Sequence, residues 1–126
     1  MKIVLVFPPF FLESMYNLPP LGFINLATIL ERTPHQVRIL DFALVIRQKA
    51  SKMGKHIYDE SADQILEERP DVVGFSVQCT TYPAAIHISK KIRDRVPDVK
   101  IVFGGHNVFF VDKRVLDCFS FIECAI

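Results

Sequence analysis

The stretch Pro70-Asp71-Val72-Val73-Gly74-Phe75-Ser76-Val77-Gln78-Cys79-Thr80-Thr81-Tyr82-Pro83-Ala84-Ala85 decides the fold. It opens with a Pro-Asp turn and runs into five mostly apolar residues, Val72 to Ser76. A run of that character predicts a strand buried on both faces, which points to a parallel sheet. Small polar residues follow, and then Ala85, Ile88, Ser89, Ile92 and Val96 recur at helical spacing. Strand, polar loop and helix make half of a βαβ unit. In open α/β sheets ligands bind at the loops leaving the carboxyl ends of strands, so the Ser76–Tyr82 loop is the first place to look for function.

The same alternation extends in both directions. Ile3–Phe7 predicts a first strand, and Pro8 to Pro20 a long connector. Connections in compact domains usually run about 4–6 residues, so a longer one is often functional; alternatively Phe10, Phe11 and Tyr16 pack it over the sheet edge. Leu21 to Arg32 predicts a helix, with Phe23, Leu26, Ala27 and Leu30 on one stripe, Pro19-Pro20 before it and Thr33-Pro34 ending it. Val37–Leu40 predicts strand two, closed by Asp41. Phe42 to Ile57 is undecided. Tyr58, Ala62, Ile65 and Leu66 form the next helix face, with Ser61 or Asp59 as caps. After strand three (Val72–Ser76) come a helix over Pro83–Arg95, strand four over Val99–Phe103, a short helix starting near Asp112, and strand five over Phe119–Cys124. Lys90, Lys91, Arg93 and Arg95 read as a solvated basic face. The expected architecture is a single flavodoxin-like, Rossmann-like three-layer α/β domain over residues 1–126, with a five-stranded parallel sheet in the order 2-1-3-4-5.

Composition narrows the function. The 126 residues carry a net charge of +1, with 50% hydrophobic and 23% charged residues. That balance suits an α/β domain and makes no case for a nucleic-acid or anionic-membrane partner. The apolar run at Met1–Phe7 is broken by Pro8-Pro9 with no cleavage site after it, and no stretch approaches the ~20 apolar residues that span a bilayer. Cys79, Cys118 and Cys124 form neither a C-x-x-C pair nor a zinc spacing, which suggests free thiols in a reducing compartment, hence the cytoplasm. They read as small buried hydrophobes.

Three loops build the active edge: Pro8–Pro20, Ser76–Tyr82 and Gly104–Val108. Gly104-Gly105 lets backbone approach a bulky ligand or simply makes a tight turn. Ser76, Thr80 and Thr81 supply short hydroxyls, and Phe7, Phe10 and Tyr82 are apolar neighbours able to cover a flat ligand. Of four scattered histidines only His106 falls at this edge, as a ligand-facing or merely polar loop residue. No G-x-G-x-x-G follows strand one, no P-loop occurs, and no serine sits in G-x-S-x-G. A phosphoreceiver's acidic pair is replaced by Phe7-Pro8-Pro9. No catalytic residue and no metal site emerges, and the chain alone is expected to catalyse nothing.

Phe7-Pro8-Pro9, Pro20-Leu21-Gly22, Pro70–Ser76, Tyr82-Pro83-Ala84-Ala85 and Gly104-Gly105 together resemble the N-terminal cobalamin-binding domain of B12-dependent radical SAM proteins, over Lys2 to about Ile122. The resemblance implies a cobalamin over the carboxyl edge, held by Pro8, Pro9, Ser76, Thr80, Thr81, Tyr82, Gly104, Gly105 and His106. The broader B12 fold carries Asp-x-His-x-x-Gly, whose histidine ligates cobalt from below, then Ser-x-Leu and Gly-Gly. Here the first is absent, as is common in the radical SAM branch; Ser76 matches the serine and Gln78 replaces the leucine. The implied parent enzyme is a methyltransferase or cyclase whose radical SAM domain, [4Fe–4S] cluster and S-adenosylmethionine lie elsewhere, because these cysteines cannot form C-x-x-x-C-x-x-C. The last strand of the family runs into a Gly-Glu-Gly-Glu segment that Ile126 stops short of, so the chain reads as the N-terminal part of a longer protein. Two competing readings stand beside this. One is a docking or oligomerisation module that has lost the cofactor, dimerising through Phe109-Phe110. The other is a flavin domain, disfavoured by the lack of a Ser/Thr phosphate loop after strand one.

Overall fold

In the computed structural model, which describes residues 1–10, 19–48, 54–105, 113–114 and 116–126, all strand pairing is parallel. In chain order the elements are β1 (Lys2–Phe7), α1 (Leu21–Leu30), β2 (Gln36–Asp41), α2 (Phe42–Arg47), α3 (Ile57–Glu67), β3 (Val72–Ser76), α4 (Tyr82–Arg95), β4 (Lys100–Gly104) and β5 (Cys124–Ala125). The sheet order is β2-β1-β3-β4-β5, the flavodoxin-like order expected. Residues 113–114 and 116–118 are also helical, in the region where the short helix is expected; its proposed start, Asp112, lies outside the described residues.

β1 lies between β2 and β3. Its register sets Val4 beside Arg38 on one side and Val73 on the other, and Leu5 beside Ile39 and Gly74. The start of β1 is pinned twice to the Pro-Asp turn: the Lys2 amide donates to Asp71 Oδ2 at 2.6 Å, and the Asp71 amide donates to the Lys2 carbonyl at 2.8 Å. Strand alternation then divides the core. Val4, Val6, Val73, Phe75, Val77, Ile101 and Phe103 pack with Ala62 and Ile65 of α3 and Ala85, Ile88 and Ile92 of α4. On the opposite face Phe7 packs with Phe10, Ala43 and the half-buried Phe23 of α1.

This division corrects the reading of β3 as buried on both faces. Val73 and Phe75 are buried, whereas Val72, Gly74 and Ser76 are only half-buried. The reason is coverage: α3 and α4 roof one face, while α1 on the other lies against β2. α1 also departs from a single-stripe helix. Phe23, Ala27 and Leu30 are half-buried, but Leu26 is 41% exposed, as are Leu21, Ile24 and Ile29 at 42–61%. It has no fully buried residue, and apolar side chains on every side.

Other boundaries shift for local reasons. α2 settles the start of the undecided stretch, of which residues 49–53 lie outside the described residues: the Asp41 carboxylate accepts from the Leu44 amide at 2.9 Å, an N-cap. α3 is preceded by His56 without a side-chain cap; Ser61 lies inside the helix, donating back to the Ile57 carbonyl, and Asp59 pairs with Lys91. β5 is shorter and later than expected, because residues 119–122 turn (the Ile122 amide donates to the Phe119 carbonyl) and the Phe119 and Phe121 rings pack together at 5.6 Å. All three cysteines are exposed rather than buried: Cys79 is in a loop, Cys118 at a helical surface and Cys124 on the edge strand.

Three of the four basic residues on the face of α4 are paired. Lys91 meets Asp59, Arg95 meets Asp59 and Asp63, and Arg93 meets Glu123. Glu123 also accepts from the Ile101 amide at 2.6 Å, so one carboxylate ties β5 to β4 and α4. Glu123→Ala strands that amide and frees Arg93, and should cost ~1–3 kcal/mol in denaturant unfolding. Unchanged stability would show that the two-residue β5 holds without the clamp. Asp59 is held below the ordinary carboxylate range, first by its hydrogen bond from Lys91. A depressed folded value means the pair's contribution is complete at neutral pH and lost as pH falls through that value. Asp59→Asn should therefore flatten the acid limb of the stability–pH profile.

Candidate functional site

At the carboxyl edge the sequence and the register bring β3 and β4 together. Ser76 stands beside Gly104, and the Val77 amide continues the ladder by donating to the Gly104 carbonyl at 2.7 Å. Ser76 and Gly104 therefore share the sheet face opposite α3 and α4, since their neighbours Phe75, Val77 and Phe103 are in the core beneath those helices.

The two glycines have different physical roles. Gly105 has φ +118°, and a Cβ there would lie 2.8 Å from the Val77 carbonyl oxygen and 3.2 Å from its nitrogen. The fold itself requires glycine at that position. Gly104 has no such requirement, because its Cβ would meet nothing nearer than the Ile126 carbonyl oxygen at 3.7 Å. Among the described residues a Cβ at Gly104 would make only that ordinary contact, and the neighbouring Ser76 hydroxyl makes no hydrogen bond among them. Gly74, further down the same face, would bring a Cβ to 3.2 Å from Leu5 Cδ2.

The loop after β3 is self-bonded. Thr81 is buried, and its hydroxyl accepts from the Gln78 amide at 2.9 Å. The Gln78 carbonyl accepts from the amides of Thr81 at 3.0 Å and Tyr82 at 2.9 Å. Thr81 thus closes the turn into α4, while Cys79 and Thr80 are exposed at its tip. Tyr82 lies in the other layer, its ring edge-on to Phe103 at 5.9 Å; its hydroxyl is buried without a hydrogen-bond partner among the described residues, and burial pushes its pKa up.

The remaining candidates divide similarly. Pro8 and Pro9 are buried, and Phe10 is in the small core with Phe7 rather than open to cover a ligand. Ser76, Gly104 and Gly105 are brought together, with Thr80 at the rim. His106, Phe109 and Phe110 lie outside the described residues, as do Phe11 and Tyr16. Gln78 and Gly74 belong to this edge although neither stands out as a ligand residue in the sequence. For Gln78 the available signal is the polar residue two places after Ser76. A cavity of about 360 Å³ beside the carboxyl end of β2, lined by Pro20, Ile24, Asp41, Phe42, Leu44 and Gln64 among others, flanks the site. Another, of about 540 Å³ around Asp71, Val72, Asp98 and Lys100, opens at the amino edge. Neither is lined by Ser76 or Gly104. Among the described residues no cluster of His, Cys, Asp and Glu could hold a metal ion, and no helix is long and apolar enough to cross a membrane.

The sequence matches the model of the B12 binding domain over residues 10–124. The chain belongs to the B12-binding domain family. Among curated proteins, it is similar to the hopanoid C-3 methylase of Methylococcus capsulatus (strain Bath), with 31% identity over 124 residues. That similarity covers 93% of this chain and 21% of the relative, so the chain spans about a fifth of that protein's length.

The glycine geometry carries its own test. Gly105→Ala should destabilise the domain by ~1–3 kcal/mol, the usual cost of forcing a side chain into such a conformation. Gly104→Ala should leave the denaturation midpoint nearly unchanged. Equal losses at both positions would mean that the fold requires both glycines.

Proposed function

We propose that this domain binds cobalamin across the carboxyl edge of its sheet, over Ser76, Thr80, Gly104 and Gly105, with no protein histidine below the cobalt. The observation that carries the reading is Gly104: the described residues leave room for a Cβ there, yet the residue is glycine, beside a serine hydroxyl that bonds to none of them. A long ligand arm passing over β4 needs a strand end without a side chain. Ser76 and Thr80 offer hydroxyls to the arm or to the ring's amides, while Thr81 and Gly105 hold the loops that present them. Pro8 and Pro9 shape the neighbouring wall from within, and Tyr82 backs the β4 end from the helix side. Bound cobalamin supplies a cobalt centre with redox and alkyl-transfer chemistry. The residues of this chain bind and orient it.

We further infer that the domain serves a longer radical SAM enzyme of methyltransferase or cyclase type. The family resemblance of Phe7-Pro8-Pro9 through Gly104-Gly105 supports this, as does similarity to a methylase that extends well beyond the matched region. In that reading the [4Fe–4S] cluster and S-adenosylmethionine belong to another domain, the chain alone catalyses nothing, and the protein works in the cytoplasm. The competing reading is a docking or oligomerisation module; the exposed Leu21, Ile24, Leu26 and Ile29 of α1 favour it.

Titration of the purified chain with hydroxocobalamin, followed by visible absorbance and calorimetry, separates the two. Saturable binding at tens of micromolar, about 6 kcal/mol of affinity, is expected. Gly104→Val should abolish it with the far-UV circular dichroism unchanged, and His106→Ala should leave the cobalt spectrum as it is. Absence of saturable binding would favour the docking module.

A further inference from the structure

We propose that the free edge of β2, with the adjoining flank of α1, pairs with the same edge of a second copy of this chain, extending the sheet antiparallel across a two-fold axis at Ile39. β2 ends the sheet and is paired to β1 alone. The Gln36 amide donates to the Met1 carbonyl at 3.0 Å, so Gln36, Arg38 and Leu40 turn their backbone groups toward β1. Val37, Ile39 and Asp41, alternating with them, turn theirs outward. Among the described residues nothing bonds to the outward amides and carbonyls of Val37 and Ile39. Such an edge is a template for another strand, and β2 carries neither proline nor lysine to blunt it.

Three features fit a second copy rather than an unrelated strand. The first is register. Ile39 is the middle of the three outward residues, so a two-fold axis there sets Ile39 against itself and Val37 against Asp41, each as an antiparallel hydrogen-bonded pair. The second is charge. Leu21–Leu30 contains no charged residue, Arg38 faces Glu68 at 3.6 Å, and the Asp41 carboxylate caps α2. Two copies therefore meet without an unanswered like charge. The third is apolar surface. α1 lies against β2, and Leu21, Ile24 and Leu44 are 61%, 42% and 45% exposed. The cavity of about 360 Å³ is lined from both faces of β2, by Ile39 and Leu40, and from both helical layers, by Ile24 and Gln64. It therefore lies at the carboxyl end of the free edge. A two-fold axis perpendicular to the sheet keeps like faces together, so the α1 helices of the two copies come side by side and cover this surface. The edge and helix flank of both copies amount to on the order of 1,000 Å², enough for a specific interface. The pairing does not depend on cobalamin. β3 and β4 lie on the other side of β1, so the Ser76–Gly104 end stays uncovered in the pair.

Sedimentation equilibrium of the purified chain, from micromolar to several hundred micromolar, should show a monomer passing to a species of twice its mass. Amide hydrogen exchange read by NMR at both ends of that range locates the contact. The Val37 and Ile39 amides should exchange fast in the dilute chain and slow about tenfold or more on association, as expected for a hydrogen bond gained. The Arg38 and Leu40 amides, bonded to β1, should be protected throughout. Ile39→Pro removes an outward donor that an edge strand can spare and should weaken association about tenfold or more with the circular dichroism retained. Ile24→Lys, at an exposed position, sets a charge in the covered flank and should weaken association without altering the fold. A chain that stays monomeric at several hundred micromolar overturns the second copy as occupant and leaves the edge to another partner. Association with the Val37 and Ile39 amides still exchanging fast, or undiminished in Ile24→Lys, places the contact on another surface and overturns the proposal equally.

Discussion

The close approach of Gly105 to the backbone of Val77 is the constraint on which the carboxyl edge depends. A glycine at φ +118°, with no room for a Cβ against the Val77 carbonyl, lets the chain leaving β4 fold directly over the end of β3. The ladder then extends one residue beyond the strand, from the Val77 amide to the Gly104 carbonyl. The arrangement of the proposed site follows from that closure. Ser76 is fixed beside Gly104, Val77 is sealed in the core, and the chain must turn at Gln78, where Thr81 catches it. A side chain at residue 105 would push the two strand ends apart and dissolve the arrangement at once.

The sheet is roofed unequally, and that inequality sets the surroundings of the proposed site. Two long helices, α3 and α4, cover one face so completely that Val4, Val6, Val73, Ile101 and Phe103 are all 0% exposed. On the other face the residues of β3 and β4 approaching the carboxyl edge are Gly74, Ser76, Val102 and Gly104, all half-buried. Small residues on a half-open face make a shallow bed, and the bed ends at the strand termini where the loops carry their polar groups. The paired surface charges do something different. Asp59, Lys91 and Arg95 join α3 to α4, and Glu123 joins the last strand to both its neighbours, so they secure the roof and the edge rather than form a binding patch.

Much of this was legible in the sequence because the strands are short apolar runs separated by clear punctuation. Val72–Ser76 carried the parallel sheet and drew attention to the loop after it as the candidate site, and the alternation carried the strand order. What failed did so for identifiable reasons. A stripe argument needs polar residues to define the stripe; α1 has only Asn25 and Thr28, so Leu26 could be assigned to the core when it is exposed. Asp41 ends a strand and caps a helix with the same side chain, and reading only the first role left α2 undecided. The alternating Phe119–Cys124 looked like a strand because periodicity cannot foresee two rings packing on each other or a carboxylate replacing ladder bonds. Cysteine is often buried, but position decided otherwise: Cys79 is in a loop and Cys124 on an edge. Thr81 and Thr80 are adjacent and chemically alike, yet only the structure separates the hydroxyl that closes the turn from the one left at its tip.

The pair Gly104-Gly105 sharpens that lesson, since the two glycines are identical in sequence and answer to different pressures. For Gly105 the backbone angle and the Val77 contact are a sufficient explanation, and the residue would be glycine whether or not a ligand ever bound. For Gly104 the same inspection finds no cause among the described residues: ordinary backbone, an extended strand, and 3.7 Å to the nearest of their atoms a Cβ would meet. Glycine in a strand is otherwise disfavoured, through lost packing and greater backbone entropy. A destabilising choice without an internal reason among the described residues is what supports the proposal that a ligand passes through the space a side chain would fill.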